Sequence, residues 1–346
     1  MIMKRLDQLY KELMGVPEKW RYYDGLQANF EELFIRNNCE EFILHTLMKG
    51  HKDKIGLFTD SIESLSIMRK QHIVSCYFLG LLIYHSNQLI RDLVDNQVKK
   101  LNSNKWEESL DKKFYYIWML ICLFHDLGYA IEEYNNNYES IKEVLKTNKN
   151  FTKPRYVPKI YNKTLLQRYW DYRWCRWNVK DHGIIGGLRF FKEICDLREQ
   201  MDDGNDTEHH WNEELVNDYA CAAWIIACHN IFTIKEGSEY EYCYKHFHLD
   251  NLITSEHVIK IENHPILFLF CLVDSIEPIK TFGDCSYFDK ITMHINPYDQ
   301  IELDLDKLPN GIKRKMIKIG LDLNDWLTFS ENKENCLIIN LKPQLL

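Results

Sequence analysis

The sequence predicts a mainly α-helical protein with a small α+β subdomain at its C-terminal end. Two observations lead to this prediction. Apolar residues recur at the three- and four-residue spacing of helices from residue 1 to about residue 283. After Gly283 the spacing changes, because ITMHINP and IELDLD alternate apolar and polar residues as strands do. The chain is also long enough to enclose a sizeable core.

Three regions follow from the pattern along the chain. Residues 1–62 contain amphipathic stretches broken by glycine and proline, and we predict a helical extension that packs on the core. Residues 63–283 form the core domain, which carries a long basic and aromatic insert at 132–180. Long apolar patterns predict core helices at roughly 63–93, 111–130, 181–199, 211–232 and 264–280. Residues 284–346 form the subdomain, in which GIKRKMIKIGLDLNDWL indicates a helix and CLIINLKP a last strand.

The composition argues against some classes of partner. The net charge of -8 disfavours general binding to double-stranded nucleic acid or to a membrane surface. The apolar run FYYIWMLICLF at 114–124 is far shorter than the roughly 20 residues that a membrane span needs. The stretch MIMKRLDQLYKELM is amphipathic and polar, unlike a signal peptide. With 11 scattered cysteines, an odd number, we expect reduced thiols and a cytoplasmic protein.

Several polar residues fall inside patterns that predict buried helices. His125 and Asp126 end the apolar run 114–124, and burying a carboxylate without a partner costs enough that the group would rather lose its charge. The same feature occurs in four further apolar segments, at His72, His182, His229 and Asp274. Each residue alone is more often a hydrogen-bonded core histidine or a helix cap. Because these segments contain almost no Lys or Arg, a bound cation would neutralise the carboxylates and satisfy the imidazoles together.

The order of these residues, H…HD…H…H…D, resembles that of the HD-domain superfamily of metal-dependent phosphohydrolases. The resemblance covers about residues 65–283, and the patterns R-x-x-H at 69–72 and L-F-H-D-L-G at 123–128 are similar to family signatures. It implies a helical bundle, and the two extra histidines imply the branch that binds two metals. That branch includes the HD-GYP and membrane cyclic-dinucleotide phosphodiesterases, symmetrical dinucleoside tetraphosphate hydrolases, and di-iron oxygenases such as myo-inositol oxygenase.

The resemblance also implies how the polar residues are used. It implies a two-metal site with one metal held by His72, His125 and Asp274, the second held by His182 and His229, and both bridged by Asp126. Imidazole and carboxylate ligands without a thiolate suit two divalent transition metal ions from the set Fe, Mn, Co, Ni and Zn. Such a pair can share a hydroxide and hold the attacking and leaving oxygens of a phosphoryl displacement.

A motif near Asp274 favours a nucleotide substrate. VDSIEPIK at 273–280 is similar to the D-x-I-E-P-x-R motif of the dinucleoside tetraphosphate hydrolases. This resemblance implies that Glu277 orients a metal ligand by a hydrogen bond from behind it and that Lys280 faces a phosphate. The alternative is a plain helix end with Lys280 in solvent.

Two positions depart from related patterns. Tyr129 follows H-D-L-G, where many HD hydrolases have a lysine that helps to hold a phosphate. Asn230 follows His229, where the HD-GYP enzymes have a second adjacent histidine. The second departure argues against cyclic-di-GMP as the substrate.

The segment 153–180 within the insert is cationic and aromatic. It carries eight Lys or Arg against one Asp, together with seven aromatic residues, in an acidic protein. Such a surface suits phosphates and a stacked base. The alternative is a helical insert that packs its tryptophans on the bundle and leaves its arginines in solvent. On the first interpretation, substrate contacts come from Arg69, Tyr129, Arg173, Arg176 and Lys180, and catalytic contacts come from Asp126, Arg189 and Lys280.

Three classes of function remain open at this point. The leading hypothesis is a phosphohydrolase that cleaves a phosphodiester or phosphoanhydride bond of a small-molecule nucleotide, either a dinucleoside polyphosphate or a cyclic nucleotide, with a metal-bridging hydroxide. The alternative is a di-iron oxygenase that acts on a small polyol or phosphonate through the same six ligands. The third is a regulatory module with a relic metal site. The complete ligand set argues against the third class, and the cationic segment 153–180 favours the first over the second.

Overall fold

A computed structural model of the chain describes residues 3–48, 62–101, 110–129, 163–177, 182–202, 213–230, 241–249, 261–322, 328–333 and 335–341. The described chain is mainly helical and carries a small antiparallel sheet near its C-terminal end, so the predicted fold class is confirmed. Of the insert at 132–180, the described part is residues 163–177.

The N-terminal extension consists of short elements that cover one side of the core. These elements are β1 (Lys4–Arg5), α1 (Leu6–Met14) and α2 (Cys39–Phe42), with π-helical turns at Glu31–Ile35 and Ile43–Leu47. Tyr10 and Trp20 of this region are fully buried, and they pack against Phe78 of the core. The extension and the core domain therefore share one hydrophobic cluster.

The core domain is built from helices around a central one. They are α3 (Ile67–Ser86), α4 (Gln88–Leu101), α5 (Leu110–Phe124), α6 (Lys163–Trp177), α7 (His182–Asp202), α8 (Glu213–Cys228), α9 (Glu241–His246), α10 (Pro265–Ile276) and α11 (Pro278–Phe282). Helix α5 is central, since its residues 114–124 are all buried and it packs against α3, α4, α7 and α8. A helix that is apolar on every side needs this cover. The polar residues that follow α5 are thereby carried into the interior.

The pattern predicted as one helix at 63–93 is interrupted at Asn87. Helices α3 and α4 meet there at an angle of 105°. The Asn87 side chain stabilises the break, because its oxygen accepts from the backbone N–H of Ile90 (2.9 Å) and its amide donates to the carbonyl of Asn296 (2.7 Å). The prediction of one continuous helix is wrong because apolar residues keep the same spacing on both sides of the break.

The C-terminal subdomain combines strands with one helix. Its elements are β2 (Thr292–Ile295), β3 (Gln300–Asp304), α12 (Asn310–Asp322), β4 (Thr328–Lys333) and β5 (Cys336–Asn340). The strand order is β1-β2-β3-β5-β4, and all described pairs are antiparallel. Strand β1 pairs with β2, so the two ends of the chain share one sheet. Strand β4 is absent from the sequence prediction because TFSENK lacks the alternation of a half-buried strand.

Neither membrane spans nor disulfides are found in the part of the chain that the structure describes. No single helix there has the length and apolar composition to cross a membrane, and α3 and α4 pass that test only as a bent pair. The cysteines whose side chains are described form no disulfide with one another.

Helix α7 approaches α8 closely at Gly187. A Cβ atom at this position would lie 2.4 Å from the carbonyl oxygen of Ala223 and 2.9 Å from the Cβ atom of Ala227. Contacts this short are not tolerated between backbone atoms, so only glycine permits the observed separation of the two helices. The close approach matters for the site below, since α7 begins with His182 and α8 ends just before His229.

Gly187→Ala is expected to lower the free energy of unfolding by about 1–3 kcal/mol, because α7 and α8 must separate to admit the methyl group. Urea-induced unfolding followed by circular dichroism measures the change. Gly311→Ala in α12 is the matched control, since a Cβ atom there meets nothing within 4 Å. An equal loss of stability in both variants would contradict the assignment of the effect to the α7–α8 contact.

Candidate metal centre

The structure brings the six predicted polar residues together where several helices begin or end. His125 and Asp126 follow the last residue of α5, and His229 follows the last residue of α8. The six side chains are all buried: His72, His125, Asp126, His182, His229 and Asp274. The ring centroids of His125 and His229 lie 5.5 Å apart, and those of His182 and His229 lie 5.2 Å apart. The two predicted halves of the site are thus adjacent.

Two of the imidazoles are anchored in the same way at a helix end. His125 Nδ1 donates to the carbonyl of Cys122 (2.8 Å), and His229 Nδ1 donates to the carbonyl of Ile226 (2.6 Å). Each acceptor belongs to the last turn of a helix, where backbone carbonyls lack an intrahelical partner. Because each bond places the ring hydrogen on Nδ1, the Nε2 atom of the neutral ring carries a lone pair that faces the interior of the site.

The third imidazole is anchored by a buried carboxylate. His72 lies in the second turn of α3, and its Nδ1 lies 2.6 Å from Oε2 of Glu277. Glu277 is fully buried, and it also accepts from the backbone N–H groups of Ile279 and Lys280, both at 3.0 Å. It therefore caps the first turn of α11 and orients His72 at once. The hydrogen bond to His72 is the one expected of Glu277, whereas the role of His72 as a metal ligand stays a prediction.

The Nε2 atoms of His72 and His125 lie close to each other and to the carboxylate of Asp274. His72 Nε2 lies 3.2 Å from His125 Nε2 and 3.1 Å from Oδ1 of Asp274. With the ring hydrogens on Nδ1, lone pairs would face one another, so the arrangement needs a positive charge, either a second proton on His72 or a metal ion. Ligand atoms about 2.1 Å from one ion and at right angles lie about 3 Å apart, which matches the observed spacing.

Asp126 lies between the two halves of the site. Its Oδ1 is 3.4 Å from Nε2 of His125 and 3.8 Å from Nε2 of His182. Nε2 of His229 is buried and has no hydrogen-bond partner among the described residues. Because a buried nitrogen without a partner is costly, a metal ion at this second position would satisfy it. The donor set and the unsatisfied nitrogen of His229 fit a metal-binding site, in which His72, His125 and Asp126 form one compact group of possible ligands.

The protonation states suit metal ligands on two of the histidines. Burial lowers the pKa of His125 to about 4. Burial, together with the neighbouring His229, holds the pKa of His182 well below its usual value. Both rings are therefore neutral near pH 7, and each has one nitrogen lone pair to offer.

The carboxylates and His72 carry charge in the metal-free state. Burial alone would raise the pKa values of Asp126 and Asp274, but the nearby imidazoles and Lys280 hold them well below the usual value. Burial alone would lower the pKa of His72, but Cys76 and two carboxylates raise it well above its usual value. A metal ion must displace that proton, so binding at His72 is expected to strengthen as pH rises.

The thiol of Cys76 also lies beside the site. Its Sγ is 3.6 Å from Nδ1 of His72, and it forms a possible ligand cluster with His72 and Glu277. Burial raises the pKa of Cys76 to about 12, so the thiol keeps its proton. The metal-binding form of cysteine is the thiolate. Sγ of Cys76 also lies 3.7 Å from Nε2 of His72, so the thiol contacts this ring without offering a thiolate.

Two cations hold the carboxylates on their outer sides. Lys280 Nζ donates to Oδ2 of Asp274, and Arg69 donates to Oδ2 of Asp126 at 3.0 Å. The Arg69 guanidinium also lies over the Tyr129 ring, 3.5 Å from its centroid. The ring of His182 also stacks on Tyr129, with centroids 3.8 Å apart. Tyr129 thus links a cation to a predicted metal ligand.

The remaining predicted contacts are less closely tied to the site. Arg189 is exposed, and its described ion pair is with Glu193 one turn further along α7. A catalytic role for Arg189 stays a prediction that no described contact supports. Arg173 is half-buried in α6, whereas the Arg176 side chain and Lys180 lie outside the described residues.

Helix α6, the described part of the insert, lies beside the site. The Tyr169 hydroxyl donates to the carbonyl of Asn230 at 3.2 Å. Tyr169, Trp170 and Tyr172 are buried. The aromatic residues described here therefore pack on the bundle, as the alternative interpretation of segment 153–180 expects. Contacts of its basic residues with a substrate stay a prediction.

Sequence reasoning missed the groups that orient the imidazoles. The carbonyls of Cys122 and Ile226 are backbone atoms, which carry no signal in the residue type. Their position could have been found, since each acceptor lies three residues before a histidine at a helix end. Asn230 stood out only as a departure from a family pattern, yet its amide lies within 3.3 Å of the His182 ring.

Comparison with known proteins adds no assignment: no protein-family model, curated protein or solved structure matches this chain.

Prediction: Glu277→Ala is expected to weaken metal binding at the His72 position by about 10–100-fold, because His72 loses the acceptor that keeps its Nε2 lone pair inward. Competition with a chelator measures the affinity. Glu277→Gln keeps one acceptor oxygen and is expected to lose less, while Glu262→Ala at an exposed position is the control. Wild-type affinity in the Glu277→Ala protein would reduce Glu277 to a cap of α11.

Proposed function

We propose that this chain is a two-metal phosphohydrolase of the HD type that acts on a nucleotide. One observation carries the proposal: Nε2 of His72 lies 3.2 Å from Nε2 of His125 and 3.1 Å from Oδ1 of Asp274, while the buried Nε2 of His229 has no described partner. A cluster of inward-facing imidazole nitrogens beside buried carboxylates is suited to binding cations.

The residues divide into two groups of ligands. One metal position is bounded by His72, His125 and Asp274, and the other by His182 and His229, with Asp126 between them. Two divalent transition metal ions bound there would supply Lewis acidity and a hydroxide at neutral pH. The protein holds the imidazoles in the required tautomer through the Nδ1 anchors of His72, His125 and His229.

The charge around the ligands favours an anionic substrate. Lys280 and Arg69 now pair with Asp274 and Asp126, and bound metal ions would take over the charge of both carboxylates. The two cations would then be available to phosphate oxygens. A neutral polyol would leave them without a partner. We therefore place the substrate among dinucleoside polyphosphates or cyclic nucleotides, in the cytoplasm, where thiols such as Cys76 stay reduced.

Anaerobic turnover with Mn, Co or Fe tests this proposal. The purified chain is incubated without O₂ in ¹⁸O-labelled water with a panel of dinucleoside polyphosphates and cyclic dinucleotides. We expect phosphate-bearing products with one ¹⁸O in the new P–O bond. Asp126→Ala protein purified in the same way excludes a contaminating phosphatase. Strict dependence on O₂, with no label at phosphorus, would reject the proposal in favour of an oxygenase that uses the same ligands.

A further inference from the structure

The amide of Asn230 lies against the ring of His182, which is the one of the four site imidazoles whose Nδ1 lacks a backbone or carboxylate acceptor among the described contacts. The amide nitrogen is 3.3 Å from Nδ1 and 3.4 Å from Nε2 of that ring. The other three imidazoles each hold their Nδ1 hydrogen on an acceptor, which belongs to Glu277, Cys122 or Ile226. The nearly equal distances place both ring nitrogens within reach of this amide, so Asn230 is a described side chain that can complete the pattern.

The backbone of Asn230 is held by buried side chains on two sides. The Tyr169 hydroxyl donates to the carbonyl of Asn230, and the thiol of Cys271 donates to the carbonyl of His229 just before it. Both Tyr169 and Cys271 are buried, so this segment has a fixed position at the end of α8. The terminal amide can still rotate by 180°, which exchanges its oxygen and its nitrogen at nearly the same place.

Only one of these two amide orientations suits a metal ligand. An amide N–H aimed at Nδ1 would require the ring hydrogen on Nε2, the atom that faces Asp126. An amide oxygen aimed at Nδ1 accepts the hydrogen there and leaves the Nε2 lone pair directed at the second metal position. Tyr129 stacks on the face of the same ring, so its plane is already set and the tautomer is the remaining variable.

We propose that Asn230 is the positioning residue of the second metal position, with its side-chain oxygen accepting from Nδ1 of His182. The inference rests on the proposed two-metal function. The residue that departs from the HD-GYP pattern therefore has a role of its own: it supplies an acceptor where that pattern supplies an additional imidazole.

The test compares two substitutions of similar size in the full-length protein. Asn230→Asp keeps the acceptor and cannot donate, whereas Asn230→Leu can do neither. Zinc titration by calorimetry, with metal counted by mass spectrometry, is expected to show two ions in wild type and in Asn230→Asp. In Asn230→Leu the affinity for the second ion is expected to fall by about 10–100-fold, with the first unchanged. Asn296→Asp is the control, because the described hydrogen bond of its side-chain oxygen is from the backbone N–H of Tyr298 in a distant turn.

A spectroscopic readout separates positioning from simple packing. In zinc-loaded protein labelled with ¹⁵N-histidine, the Nδ1–H signal of His182, assigned by its loss in His182→Gln, should stay downfield in wild type and Asn230→Asp. It should shift upfield or exchange away in Asn230→Leu. Loss of the second ion in Asn230→Asp, or its full retention in Asn230→Leu, would contradict the role of Asn230. Neither result would affect the proposed function. A wild-type protein that binds fewer than two ions would overturn the proposed function, and this inference with it.

Discussion

Asp126→Ala is expected to remove both metal ions and to abolish hydrolysis, with a loss in kcat/KM well beyond the roughly 100-fold that removal of a ligand's hydrogen-bond partner costs. The physical reason is the position of Asp126, whose Oδ1 lies 3.4 Å from Nε2 of His125 and 3.8 Å from Nε2 of His182. Without this carboxylate the two groups of imidazoles lose the negative charge that they share. Metal content by mass spectrometry and turnover of the nucleotide panel are the two measurements.

The control for this prediction is Asp284→Ala. Asp284 is exposed, and its described side-chain contact is a hydrogen bond from the backbone N–H of Ser286 in a turn. Metal content and turnover should stay at wild-type level there. Asp126→Ala also frees Arg69, whose charge remains at the site. An Asp126→Ala protein that keeps both its bound metal and its turnover would contradict the proposed mechanism.

His229→Ala is expected to reduce the bound metal from two ions to one. Turnover is expected to fall by at least about 100-fold, since an in-line displacement needs both the attacking and the leaving oxygen to be held. The first position should keep its ion, because His72, His125 and Asp274 do not depend on the His229 ring for their mutual contacts. Metal counting after gel filtration, with a chelator titration for the remaining ion, checks both parts.

The reciprocal variant makes this prediction sharper. His72→Ala should lose the first ion and leave the second, so the two variants should show complementary losses in metal content. His246→Ala at an exposed position of α9 controls for the removal of an imidazole that could bind metal adventitiously. If His229→Ala and His72→Ala both retained two ions, the assignment of two separate positions would be wrong.

Much of the fold could be predicted from the sequence because the strongest signals in the sequence are local. The run 114–124 is apolar on every helical face, and such a helix is stable only at the centre of other helices. The same argument located His125 and Asp126 in the interior without reference to any partner. It failed at Asn87, where the helix break depends on a hydrogen bond to the carbonyl of Asn296, a residue far along the chain. The pairing of β1 with β2 was also missed, because a strand of two residues shows no periodicity in the sequence.

For the candidate site, too, part could be predicted from the sequence and part depended on the tertiary structure. By itself the sequence determined which residue types are buried, and therefore that imidazoles and carboxylates must find partners in the interior. Only the tertiary structure decided which ring nitrogen each imidazole turns inward, because that choice depends on acceptors from other helix ends, such as Glu277 and the carbonyls of Cys122 and Ile226. It also placed Arg189 in solvent beside Glu193 and brought Asn230 to His182. Composition and spacing report what a residue must avoid, whereas hydrogen-bond direction is a property of atoms that meet only after the helices have packed.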